Sequence, residues 1–161
     1  PMKTIFKSGL LALLCYVPTS LLAQKDSLKL VCPLEEGVIV PPAINLVKLD
    51  PPDLSVMLTS IPDTVVKAVV NASVTNIERD DEGKFGVVLF ARHENKDYYF
   101  WYTGLSKLTV RRLEQIKAGQ PLGLMDPGSK IELLMFDFET PVDVARYLDC
   151  KGRTGLPVVM K

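Results

Sequence analysis

The sequence predicts an all-β domain, a sandwich or barrel of short antiparallel strands with one short helix near its C-terminal end. Three observations predict it. From Val65 onward apolar and polar residues alternate with a period close to two, in runs rich in Val and Thr that suit pleated, half-buried positions. Polar clusters interrupt those runs at roughly the eight-to-twelve-residue spacing of a sandwich or barrel. At 161 residues the chain fits one domain with room for a real core.

The first 23 residues stand apart. Lys3 and Lys7 form a positive stretch, residues 10–16 an apolar one, and residues 18–23 end in small side chains, the pattern of a secretory signal peptide cleaved after Ala23. A membrane anchor is the alternative, but the apolar run falls short of the roughly 20 residues that span a bilayer and contains Pro18. Export leaves a soluble chain in a periplasm or outside the cell, without a stable anchor. Lys+Arg and Asp+Glu balance at 19 each, with no basic stripe, so nothing points to a nucleic-acid partner.

Residues 24–60 read as an irregular lead-in. Pro33, Pro41, Pro42, Pro51 and Pro52 favour extended or turn geometry, with short strands at 28–31 and 38–40. The β domain proper occupies residues 61–150, and 151–161 form a tail. Within it, VVKAVVNASVTNI (65–77), the polar turn RDDEGKFG (79–86), the return run VVLFAR (87–92), the tip HENKD (93–97) and YYFWY (98–102) read as a meander of three strands. LTVRRLEQIKAG (108–119) has helical propensity and ends in Gly. KIELLMFDFE (130–139) is a strand. PVDVARYL (141–148) reads as a short helix with Pro in its first turn. Of three cysteines, Cys15 leaves with the signal. Cys32 and Cys150 remain, an even pair in an exported chain, read as a disulfide, with two separate buried thiols as the alternative.

Six segments carry a resemblance: residues 63–77, FGVVLFARH (85–93), YYFWYTGLSKL (98–108), IKAGQPLG (116–123), LMFDF (134–138) and DVARYL (143–148). Together they resemble the lysostaphin-type (LytM) zinc peptidases. The resemblance implies a twisted antiparallel sheet related to the duplicated hybrid motif, with a groove whose floor carries the active site. It also implies that residues 108–119 form a loop and short strands rather than a helix. Those enzymes hold zinc with two His and one Asp and use further His residues in catalysis, whereas this chain has one histidine.

Carried over position by position, the resemblance points to a degenerate site. Counting back from Thr64 and Ala68 puts Met57 where the Asp ligand stands and Asp53 where the first His stands. The family's Tyr-x-His-Leu reads Tyr102-Thr103-Gly104-Leu105, so Gly104 replaces a catalytic His. Its His-x-His-Phe-Glu reads Leu133-Leu134-Met135-Phe136-Asp137, so Leu133 replaces a catalytic His and Met135 a metal-binding one. Zinc needs three N, O or S ligands and an open position for water, and Leu, Gly and Met supply no adequate set. The expectation is a pseudo-enzyme with no cofactor.

Other residues have bland alternatives. His93 is read as a strand-end or exposed turn histidine. Asp53, Glu132 and Asp137 would make a calcium site only with more oxygen ligands than they offer. The aromatic run Tyr98, Tyr99, Phe100, Trp101, Tyr102 alternates faces along a strand. One face belongs to a core and the other, with His93, is a candidate binding surface. The leading reading is an exported, inactive LytM-like domain that acts by binding an envelope protein, since degenerate members of the family regulate cell-wall amidases. The alternatives are a peptidoglycan- or glycan-binding module and, last, a metallopeptidase with altered ligands. A lipoyl-type carrier, which IKAGQPLG brings to mind, lacks a modifiable Lys at a hairpin tip.

Overall fold

The computed structural model describes residues 28–40 and 53–150. The expected signal segment, the middle of the lead-in and the tail lie outside the described residues. Among the described residues thirteen strands run in chain order: β1 Leu30–Val31, β2 Val38–Val40, β3 Val56–Thr59, β4 Val65–Lys67, β5 Ala72–Arg79, β6 Phe85–His93, β7 Lys96–Leu105, β8 Lys107–Leu108, β9 Gln115–Ile116, β10 Pro121–Leu124, β11 Lys130–Asp137, β12 Thr140–Val142 and β13 Leu148–Asp149. The all-β expectation is met.

One large antiparallel sheet carries the fold, in the order β2-β3-β11-β7-β6-β5-β9, with β12 also on β11. β5, β6 and β7 form the expected meander, and the β6–β7 turn is tight, with Glu94 and Asn95 at positive φ. The run from Val65 to Ile77, however, is two strands. β4 belongs to a small sheet, β4-β10-β8, and the chain crosses into the large sheet through residues 68–71. There Gly119 donates to the Ala68 carbonyl and Val31 to the Val69 carbonyl, so this stretch pairs with other segments rather than extending a strand. The segment 108–119 forms turns and strand ends, as the resemblance implied.

Two expectations need correction. The C-terminal helix is only a 3-10 turn, Val144–Arg146. Phe138 at φ 56° reverses the chain, and β12 lies back along β11 with Pro141 opposite Phe136, so Pro141 serves a hairpin. Asp143 makes no side-chain cap and instead pairs with Arg146. The lead-in is also less irregular than its prolines imply, because β3 sits inside the large sheet between β2 and β11.

The remaining lead-in is fastened across the domain. β1 pairs in parallel with β13, and Cys32 is bonded to Cys150 across a separation of 118 residues, so the expected disulfide forms. Lys67 N–H donates to the Pro33 carbonyl (2.8 Å), Glu35 N–H to Asp63 Oδ2 (2.5 Å), and Lys67 Nζ meets Glu35 Oε2 at 2.9 Å. Leu30 and Leu34 are buried in the same core cluster as Leu58, Phe100, Tyr102, Leu133 and Met135.

Candidate functional site

The faces of the large sheet decide what the site can be. Residues directly opposite each other across an antiparallel pair share a face, and neighbours along a strand do not. β11 pairs Leu133 with Tyr102 and Met135 with Phe100 on one side, and Ile131 with Leu58 and Leu133 with Val56 on the other. All seven are buried. The two positions that the resemblance matches to a His-x-His pair, Leu133 and Met135, thus point to one face, and that face is the closed core.

Each degenerate position has its own physical state. Leu133 is 0% exposed and Met135 2%, so water does not reach either side chain. Gly104 adopts φ +87°, and a Cβ there would come within 2.6 Å of the Lys130 carbonyl oxygen. Only glycine fits that backbone and that close approach. The Tyr102 hydroxyl accepts the Val69 N–H at 2.9 Å, and complete burial raises its pKa. Replacing Tyr102 by Phe leaves that buried N–H without its acceptor, with an expected loss of about 1–3 kcal/mol in urea unfolding.

Met57 does not stand where the sequence count put it. It lies opposite Glu132 on the other face of the sheet, 37% exposed, while its neighbours Val56 and Leu58 face the core. A one-residue slip exchanges the two faces of a strand, and Leu58 is the residue one step along that points inward. Asp53 is exposed and accepts the Ser55 N–H at 2.9 Å, a local turn bond that holds its carboxyl below the usual pKa. It lines a depression of about 240 Å³ with Leu54, Ser55, Leu134, Met135, Phe136 and Pro141. Glu132 and Asp137 lie five residues apart on β11, hence on opposite faces, and Asp137 is paired with Lys96. The carboxylates therefore do not converge. Zinc does not fit the residues present at these positions: Gly104 has no side chain, and Leu133 offers no donor.

The aromatic run divides as its alternation requires. Phe100 and Tyr102 are fully buried, so neither belongs to a surface, and Tyr98 packs against the same core. The outward face carries Tyr99 and Trp101. Phe90 and Phe136 flank Tyr99, and Val88 and Leu134 flank Trp101, all half-buried. The Phe90 and Tyr99 rings lie 5.3 Å apart between centroids, tilted by 51°. His93 ends β6 opposite Lys96, away from the middle of this face. The sequence reading named Tyr99 in the aromatic run but missed Phe90, Leu134 and Phe136, although the period of two in FGVVLF and LLMF was the signal that places them beside it.

The chain's frame has relatives among solved structures. A chain of the SpoIIQ–SpoIIIAH pore-forming complex matches with a TM-score of 0.57 at 13% identity, over 84% of this chain and 100% of that one. Helicobacter pylori Csd3 matches with a TM-score of 0.56 at 16% identity, over 74% and 33%. The catalytic domain of lysostaphin from Staphylococcus simulans matches at 0.45 and 20% identity, over 58% and 77%. The chain spans only 55% of an L. salivarius REN cbpa structure, at 27% identity, 52% of this chain and a TM-score of 0.44. The first two likenesses show the fold. No curated protein sequence matches the chain. Residues 54–143, more than half of the sequence, match peptidase family M23, and this match together with the strand order above places the chain in that family: it is a member of peptidase family M23.

Proposed function

We propose that this chain is an exported, catalytically inactive M23 domain that acts in the cell envelope by binding, as a regulator of or scaffold for a wall hydrolase or another envelope protein. One observation carries the reading. Where the resemblance places catalytic and metal-binding histidines, the chain has Gly104, Leu133 and Met135, the first where a Cβ would meet the Lys130 carbonyl oxygen at 2.6 Å and the others closed in the core. A peptidase of this kind works through a metal-activated water and a polarised carbonyl, and these positions supply neither ligands nor access. Support for a protein partner comes from the SpoIIQ–SpoIIIAH structure, an assembly of proteins in which a chain of this fold takes part.

The test is metal content. After incubation with zinc and removal of the excess, elemental analysis is expected to find less than about a tenth of an equivalent, since tight binding needs preformed, deprotonated ligands. Near one tightly held equivalent overturns the proposal. Pull-down from envelope extract is expected to recover an envelope protein. A glycan-binding reading is favoured by one observation, the outward Tyr99 and Trp101 side chains. Co-sedimentation with purified sacculi at moderate salt separates it from the first: a chain that stays soluble rejects it.

A further inference from the structure

If the domain works by binding, the floor that the family uses is closed here, so the docking surface lies elsewhere. We infer that it is the outer face of the large sheet, centred on Tyr99, Trp101 and Phe136, and that its occupant is a protein segment with an apolar stretch followed by a basic residue. The inference rests on the binding reading above and names the surface and the partner's chemistry.

The composition of that face is the first argument. An antiparallel sheet with one solvated side normally alternates apolar inside and polar outside. Here β6, β7 and β11 are apolar on both sides. Across the outer side run two adjacent rows, Phe90–Tyr99–Phe136 and Val88–Trp101–Leu134, joined by register and all half-buried. A contiguous patch of this kind marks an interaction site, whereas scattered exposed apolar residues do not. Aromatic residues in such a centre are also the side chains that dominate protein interfaces.

Charge supplies the second argument and selects the occupant. At the hairpin end of the face the charges are already matched, since Arg92 pairs with Asp97 across β6 and β7. At the other end stand two carboxylates with no ion pair among the described residues, Glu78 opposite Gly86 and Glu132 opposite Thr103, the latter accepting a long Thr103 hydroxyl contact at 3.4 Å. A lysine or arginine at one end of an apolar segment would meet them. This polarity also disfavours a second copy of the chain, whose own face would bring the same carboxylates, and an anionic lipid surface.

The experiment uses the full chain carrying a photo-crosslinking benzoylphenylalanine at position 99, with a second version carrying it at Leu113, an 80% exposed site next to β9 at the far edge of the sheet. Irradiation in envelope extract is expected to give a protein adduct from position 99, mapped by mass spectrometry to an apolar stretch with Lys or Arg within a few residues. Combining the probe with Glu78→Lys and Glu132→Lys is expected to lower the yield at least about tenfold. Glu78→Lys alone, at an exposed position, reads the same sign if the double variant misfolds. An adduct with a second copy, with lipid or with glycan overturns the inference, as does a yield indifferent to charge reversal. Capture from position 113 but not 99 overturns the choice of face and leaves the binding reading standing. Capture from neither, with an empty pull-down, overturns the binding reading itself. Trp101 is the only tryptophan in the chain, so its emission, shifted to shorter wavelength on docking, checks the same face directly.

Discussion

Restoring the family's histidines is expected to unfold this protein, not to revive an enzyme. Leu133→His places an imidazole where the native side chain is 0% exposed and bounded by Val56 and Tyr102 across the sheet. The substitution loses buried apolar contacts and leaves at least one ring nitrogen without a partner, an expected cost of about 3–5 kcal/mol. Gly104→His is worse in kind, because any Cβ meets the Lys130 carbonyl at 2.6 Å in a left-handed backbone. Either change exceeds the ordinary run of single substitutions, and the two together with Met135→His consume about the whole stability of a typical domain. Urea unfolding followed by Trp101 emission measures the loss. A folded triple variant with chelator-sensitive turnover of muropeptides would show instead that the closed floor opens at little cost.

Breaking the Cys32–Cys150 bond is the second large expected effect. The bond joins β1 to the end of β13, across a separation of 118 residues. In the chain-entropy view, closing a loop of this length in the unfolded state is worth about 5 kcal/mol, and native bridges in small secreted domains deliver about 2–5. The β1–β13 ladder it secures has only two residue pairs, supported by the burial of Leu30 and Leu148 in the core. A Cys32→Ser/Cys150→Ser variant is expected to melt well below the parent, and the parent treated with dithiothreitol to match it. Leu30 and Leu34 should then exchange their amides faster than Leu89 or Phe100 in the middle of the sheet. Equal melting of oxidised and reduced protein would mean that the buried leucines and the Lys67–Glu35 and Asp63 contacts alone anchor the lead-in.

The sequence by itself determined the strand-forming runs and offered Cys32 and Cys150 as a disulfide pair. It also showed which chemical groups are absent from the positions that the resemblance matches to catalytic ones. These are local or compositional properties: alternation, β-branching, the count of thiols and of histidines. It likewise determined that the YYFWY run has two unlike faces. What it left open was which face each residue meets, because that depends on register between strands far apart in the chain. Met57 and Leu58 are equally apolar, and only the pairing of β3 with β11 turns Leu58 inward and Met57 out. The run from Val65 to Ile77 looks like one strand until β10 and the Val31 amide claim its first half. PVDVARYL carries helix signals, yet the pairing of β12 with β11 outweighs them, as tertiary contacts do for weak propensities. That Leu133 and Met135 close into the core while Tyr99 and Trp101 face outward was likewise decided only by packing. Non-local hydrogen bonds and buried area fix those outcomes together, and no single window of the sequence contains them.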